Sequence, residues 1–254
     1  MSVKSFVRDM LPEAMEIRVQ VIDHYWRGEP ELRALKQLCD RSRPAIDVGA
    51  NIGTYTYFLQ RYASRVVAFE PNPQLASRLR RIFPTVDVRE KAVSDSLCTM
   101  DLFVPVFADR MMHELGSITQ EYTSAQSVER HRVSVVSMDS EGFDDVGFIK
   151  IDVEQNEVAV LRGACETIAR CRPIIMTEVA PLIYEDGLVE TFQFLCDMDY
   201  EGWFTFEGKK QPFSQFSPRK HANREYYGIK GFMNPNVLFL PRERDAEARV
   251  WRNS

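Results

Sequence analysis

Nowhere in this chain of 254 residues does an apolar run approach the length of a bilayer-spanning helix, about 18 residues. Met1 to Met10, which carries Lys4, Arg8 and Asp9, also lacks the apolar core of a signal peptide. The expectation is a cytoplasmic protein with no membrane span. Excess positive charge is missing too: 32 Lys and Arg against 37 Asp and Glu leave a formal net charge of -5. That field repels a phosphodiester backbone, so no nucleic-acid partner is expected. The five cysteines (Cys39, Cys98, Cys165, Cys171, Cys196) are odd in number and show no C-x-x-C spacing, which argues against a disulfide framework and a zinc site.

What is present is ordinary globular material. Apolar residues make up 44% and charged residues 27%, enough for one large domain or one domain with an embellishment. Residues 1–43 read as a helical N-terminal cap. Val3, Phe6, Met10, Met15, Val19, Ile22 and Trp26 recur at helical spacing, and Leu32, Leu35 and Leu38 share one face. Residues 44–241 read as the main domain, and 242–254 as a charged, solvated, partly helical tail.

From Pro44 onward, short apolar runs alternate with helical stretches. Strands are expected at Ala45 to Val48, Arg65 to Phe69, Val86 to Arg89, Phe148 to Ile151 and Pro173 to Thr177. Helices are expected at Gly53 to Tyr62, Gln74 to Phe83, about Asn156 to Ala169 and about Gly187 to Met198. This grammar predicts an α/β fold with a mostly parallel sheet covered on both faces. Thr99 to Val106 and His131 to Met138 read as two further strands flanking a polar insertion or lid from Ala108 to Arg130. Trp203 to Phe206 and Val237 to Leu240 read as a late antiparallel pair at one sheet edge.

Asp47-Val-Gly-Ala-Asn-Ile-Gly53 lies between the first strand and the first helix, the place of a ligand loop. Gly49 allows the turn and a close backbone approach, Gly53 a tight start to the helix, and Thr54 opens that helix, whose unpaired N–H groups attract a polar ligand. Glu70 ends the next strand, where doubly wound folds place a carboxylate against a ribose diol. The dinucleotide fingerprint G-x-G-x-x-G fails, because Asn51 stands at the second glycine position and Thr54 at the third, and no G-x-x-x-x-G-K-[ST] occurs. An acid at Asp47 suits an ammonium group, and S-adenosylmethionine carries both a ribose and an amino-acid ammonium.

The segments Ala45-Ile-Asp-Val-Gly-Ala-Asn-Ile-Gly53, Val67-Ala-Phe-Glu-Pro-Asn-Pro73, Ala92-Val-Ser-Asp95, Phe148-Ile-Lys-Ile-Asp-Val-Glu154, Leu161-Arg-Gly163 and Arg172-Pro-Ile-Ile-Met-Thr-Glu178 resemble, in order, the signatures of the FkbM-type methyltransferase family. Asn236-Val-Leu-Phe-Leu240 is also similar. The resemblance implies a Rossmann-like class I methyltransferase fold, with a mostly parallel seven-stranded sheet and an antiparallel edge strand. It implies S-adenosylmethionine as cofactor and methyl transfer to a hydroxyl of a saccharide or glycosylated natural product. It assigns Asp47, Gly49, Asn51, Gly53, Glu70, Pro71, Asn72 and Ala92 to the cofactor, and Asp152, Glu154 and Glu178 to an acidic cluster at the strand ends. The family usually has glycine after the Asp-Val-Glu triplet, where this chain has Gln155.

A sulfonium methyl is already electrophilic, so catalysis needs in-line placement of the acceptor oxygen and removal of its proton. Asp152, Glu154 and Glu178 are candidates for that base, Asp152 also for cofactor binding. His113, in the polar insertion, is a further candidate. The three carboxylates also suit Mg or Ca as oxygen ligands, a second use. Lys209 to Lys230 gathers six basic residues among aromatics, either a site for a phosphate or acidic sugar or an ordinary solvated loop. Two rival readings stand beside methyl transfer: a nicotinamide-dependent oxidoreductase, which lacks its glycine fingerprint here, and a non-catalytic module keeping the cofactor fold.

Overall fold

The computed structural model describes residues 17, 21–22, 25, 30–107, 110–111, 116–118, 127–178, 192–221, 236–244 and 251. Its five central strands are the apolar runs of the sequence: β1 (Ala45–Val48), β2 (Val66–Phe69), β3 (Asp87–Arg89), β8 (Phe148–Ile151) and β9 (Ile174–Glu178). All five lie parallel, in the order β3-β2-β1-β8-β9. β1, β2 and β8 are buried along their whole length, because a parallel sheet carries helices on both faces. Ile46, Ile149 and Ile175 face one core cluster, while Ala45, Phe148, Ile174 and Met176 face the other.

Helix α2 (Thr54–Tyr62) follows β1 and α3 (Pro73–Ile82) follows β2. A short α1 (Leu35–Leu38) precedes them. The helix expected from Asn156 to Ala169 is two helices, α4 (Glu157–Arg162) and α5 (Cys165–Cys171). They part at Gly163, where a Cβ would lie 2.0 Å from the Ser94 carbonyl oxygen. The new helix start is capped from a distance by Asp139, whose carboxylate accepts from the Glu166 and Thr167 N–H groups at 3.1 and 2.8 Å. Of the helix expected near Gly187 to Met198, α6 (Gln193–Asp197) is described.

The sheet has eight strands rather than seven. β12 (Asn236–Pro241) inserts antiparallel between β9 and β10 (Tyr200–Phe206), so the antiparallel strand of the late pair is internal. The edge is β11 (Lys209–Pro212), antiparallel to β10. Glu207 and Gly208, both at positive φ of 50° and 72°, make the two-residue turn whose twist suits such a hairpin. A short α7 (Pro218–His221) follows.

A second sheet, not expected as such, has the order β4-β7-β5-β6. β5 (Cys98–Phe107) and β7 (Ser127–Val136) pair antiparallel from Cys98 opposite Val135 to Val106 opposite Ser127. Thus Ser127 to Arg130 belong to a strand, not to the insertion. β4 (Ala92–Val93) joins β7, and β6 (Arg110–Met111) joins β5. Leu102, Val104, Val133 and Val135 alternate onto one face and bury there with Ala92 and Ile118.

The tail also departs from its solvated reading. Trp251 is buried in the cluster that holds Ile17, Val21, Leu32, Leu35 and Leu38, and the Lys210 ammonium stands 4.3 Å from its ring centre. Trp251 and the N-terminal residues Ile17 and Val21 therefore belong to the same core cluster. Phe213 and Phe216, from the basic stretch, are core residues. All five cysteines are free thiols. Among the described residues no helix is long and apolar enough to cross a membrane.

Candidate active site

The C-terminal ends of β1, β2 and β8 open onto a cleft, partly open to solvent, lined by Gly49, Asn51, Glu70, Ala92, Asp152 and Glu154 among others. Doubly wound sheets bind ligands at this end. The loop after β1 makes its first turn at Gly49, with φ of 79°. A Cβ there would lie 1.8 Å from the Asp152 carbonyl oxygen, so only glycine lets β1 and β8 deliver their loops side by side. Gly53, at φ of 93°, sits against Leu79 and Phe83 and starts α2. It and the buried Thr54 build the loop rather than line the cleft.

Glu70 is the fixed point of this wall. Its Oε2 accepts from the Asn51 N–H at 2.7 Å and its Oε1 from the Asn72 N–H at 2.9 Å. Burial pushes its carboxyl up to about 7 against those hydrogen bonds. Each oxygen keeps a lone pair, as a ribose diol requires. Pro71 lines the cleft. Asn72 does so only through its neighbours: its side chain caps α3, accepting from the Gln74 N–H at 3.0 Å.

Asp47 corrects an expectation. It is 1% exposed, accepts from the Thr56 hydroxyl at 2.5 Å, and lies beneath the loop instead of facing the cleft. Burial raises it to about 6. Asp152, by contrast, lines the cleft.

Asp152, directly after β8, and Glu178, at the end of β9, lie within hydrogen-bond reach of each other. Burial, then the negative charge of Asp152, lifts the Glu178 carboxyl well above the usual range. Burial acts on Asp152 in the same sense. The Lys150 ammonium and the hydrogen bonds from Glu178 and Lys150 outweigh it and hold Asp152 below its ordinary value. Glu154 lies one turn further along the cleft wall with φ of 50°, and Gln155 follows at 81°. Gln155 thus occupies the left-handed position that explains the family's glycine there. Burial, then Asp152 and Glu157, pushes the Glu154 carboxyl up to about 7, near the value that suits a base at neutral pH.

Several participants escaped sequence reasoning. Ser117 donates from its buried hydroxyl to the Glu154 carbonyl at 3.0 Å. Glu157 Oε1 accepts from the Val153 and Gln155 N–H groups, so both ends of the strained turn are tied. Leu102 and Ile118 add apolar lining to the cleft. Lys150 had a legible signal, a lone lysine in the apolar strand Phe148–Ile151; the others depend on contacts between distant segments. His113 lies outside the described residues. His131 pairs with Glu129 at 3.3 Å and His221 packs among Phe204, Phe206 and Phe216; neither lines the cleft. Among the described residues no group of three or more His, Cys, Asp or Glu side chains is placed to hold an ion.

Strand order, internal antiparallel β12 and a cleft at the ends of β1, β2 and β8 define a class I methyltransferase fold. The chain belongs to the FkbM methyltransferase family, a family dependent on S-adenosylmethionine: the model of the methyltransferase FkbM domain matches residues 47–202. Among solved structures, the chain is similar to methyltransferase FkbM from Methylobacillus flagellatus KT, with 15% identity and a TM-score of 0.51 over 92% of this chain. It spans 57% of that protein's length. An rRNA methylase from Streptococcus thermophilus matches at 12% identity and TM-score 0.46, covering 84% of this chain and 93% of that one. A Streptococcus mutans protein in complex with S-adenosylhomocysteine matches at 13% and 0.45, covering 84% and 96%. These likenesses concern the fold alone. No curated protein matches the chain by sequence.

Proposed function

We propose that this protein transfers a methyl group from S-adenosylmethionine to a hydroxyl of a saccharide or glycosylated small molecule. The observation that carries the reading is the cleft itself: the acids Glu70, Asp152 and Glu154 line it together with the apolar Ala92, Leu102 and Ile118. Those groups fit the cofactor part by part. Glu70 accepts from a ribose diol, the apolar wall of the second sheet covers an adenine, and the Asp152 carboxylate faces a cation. When bound, the cofactor would supply an electrophilic methyl to the acceptor oxygen, its sulfur keeping the electron pair of the broken sulfur–carbon bond. Glu154 is the best-placed base, since its carboxyl titrates near neutrality in the cleft and can accept the proton of the attacking hydroxyl. Asp152, already ionised, is the weaker base and serves as the fixed anion. The saccharide acceptor rests on the family resemblance.

The test is calorimetric titration with S-adenosylmethionine, S-adenosylhomocysteine and NAD on the wild type and on Glu70→Ala, followed by an acceptor screen for methyl transfer. Binding of the two adenosyl ligands, weakened by Glu70→Ala, followed by methylation of a sugar hydroxyl, supports the reading. Binding of NAD alone turns it toward an oxidoreductase. Cofactor binding without turnover on any hydroxyl leaves the non-catalytic module.

A further inference from the structure

Lys150 is the unexplained charge of this molecule. It lies in the middle of the main sheet, 1% exposed, in a strand whose other residues are apolar. Its ammonium donates to Asn236 Oδ1 at 3.0 Å, and lies 3.4 Å from Asp152 Oδ2 and from the Ile151 carbonyl oxygen. The Tyr55 ring of α2 lies against it, 4.7 Å from centre to nitrogen. A buried ammonium is kept only where a charge or several acceptors compensate it.

The surroundings show what it compensates. Two carboxyls in hydrogen-bond contact, Asp152 and Glu178, hold one proton between them. The other acids acting on Asp152 or its neighbours are Asp47 from β1, Glu70 from the end of β2, and Glu154 and Glu157 from the turn into α4. All are of one sign, so none favours a charge on Asp152. The Lys150 ammonium acts on both carboxyls, but its nitrogen is in contact with Asp152, at 3.4 Å. Asn236, the register partner of Glu178 across β9 and β12, accepts from the same ammonium and fixes its position.

We propose that Lys150 is a positioning residue of this site: its buried ammonium places the negative charge of the Asp152–Glu178 pair on Asp152 and leaves the shared proton on Glu178. The cleft then presents a permanent anion at Asp152, while Glu178 acts as a hydrogen-bond donor and not as a base. This assignment deepens the proposed cofactor role and rests on it for its consequence in binding, but not for the protonation state.

Two measurements separate these layers. With [4-13C]aspartate labelling, the Asp152 carboxyl resonance is identified by its loss in Asp152→Asn and titrated by NMR in the free protein. The wild-type resonance titrates below the ordinary aspartate range. In Lys150→Met its midpoint rises by about one pH unit or more, the effect expected of losing an opposite charge in contact, and Lys150→Arg returns it toward the wild type. An Asp152 midpoint that is the same in wild type and Lys150→Met overturns the proposal. The second measurement stands even if Lys150→Met does not fold. Glu178→Gln imitates the protonated acid, so S-adenosylhomocysteine affinity falls at least tenfold more in Asp152→Asn than in Glu178→Gln. The reverse order puts the charge on Glu178 and also overturns the proposal. If the wild type binds no S-adenosylhomocysteine, the cofactor reading fails while the NMR result still decides the role of Lys150.

Discussion

The Asn51 N–H donates to Glu70 Oε2 at 2.7 Å, so the loop after the first strand is locked to the carboxylate that ends the second. One bond joins the part of the cleft that turns the chain to the part that accepts a ribose. Glu70→Ala removes both the acceptor for the diol and the anchor of the loop. We expect S-adenosylhomocysteine affinity to fall about 10- to 100-fold, the worth of a charge-assisted hydrogen bond or two, measured by calorimetry. Glu70→Gln, which keeps one acceptor oxygen, should lose less.

The acid cluster sets a pH dependence of the unliganded protein. Burial lifts Asp47 to about 6 and Glu70, Glu154 and Glu157 to about 7, above their unfolded values, so the folded state binds more protons than the unfolded one. That stability is present in full below the unfolded values near 4 and is lost as pH rises through about 6 to 7. The melting temperature should therefore fall between about pH 5 and pH 8. At pH 8 S-adenosylmethionine and S-adenosylhomocysteine, which share the amino-acid ammonium, should each restore part of it; no restoration by either would argue against an anionic Asp152 facing that ammonium.

Gly49→Ala should be among the most damaging substitutions in the chain. Its Cβ would stand 1.8 Å from the Asp152 carbonyl oxygen, at a φ of 79° that a side chain disfavours. Backbone cannot yield as a side chain can, and a loss of about 3 kcal/mol or more is expected in urea denaturation.

Gln155→Gly should act in the opposite sense. The glutamine holds a φ of 81° at a cost of about 1–2 kcal/mol, part of which glycine returns as lost unfolded-chain entropy. A net gain of about 0.5–1 kcal/mol is expected. Ser117→Ala, which unties the Glu154 carbonyl from the second sheet, should cost about 1 kcal/mol and lower turnover more than cofactor affinity. If cofactor affinity falls and turnover does not, the Ser117 hydroxyl is not holding the base.

Trp251→Ala tests the tail. A buried tryptophan packed with Leu35 and Leu38 in the second core cluster should cost about 3–5 kcal/mol when truncated. A loss below about 1 kcal/mol would return residues 242–254 to the solvated tail of the sequence reading.

Local pattern determined a good deal of this protein. A four-residue apolar run between turn residues has one stable use in a doubly wound chain, so β1, β2 and β8 stood where periodicity put them. The loop from Asp47 to Gly53 and the acid at Glu70 were legible because turn chemistry and strand ends are sequence-local. Pairing between distant segments was decided only in three dimensions. Whether β12 lies at the edge or inside the sheet depends on its ladders with Ile175 to Glu178 of β9 and Tyr200 to Phe204 of β10, and no residue of β12 encodes that alone. Likewise, Asp47 and Asp152 look equivalent as acids at strand ends. Tertiary packing buries the first on Thr56 and turns the second to the cleft, and the Lys150 ammonium, two residues before Asp152, decides its charge. Burial and charge are sums over neighbours from every element, and that sum is formed only when the chain has folded.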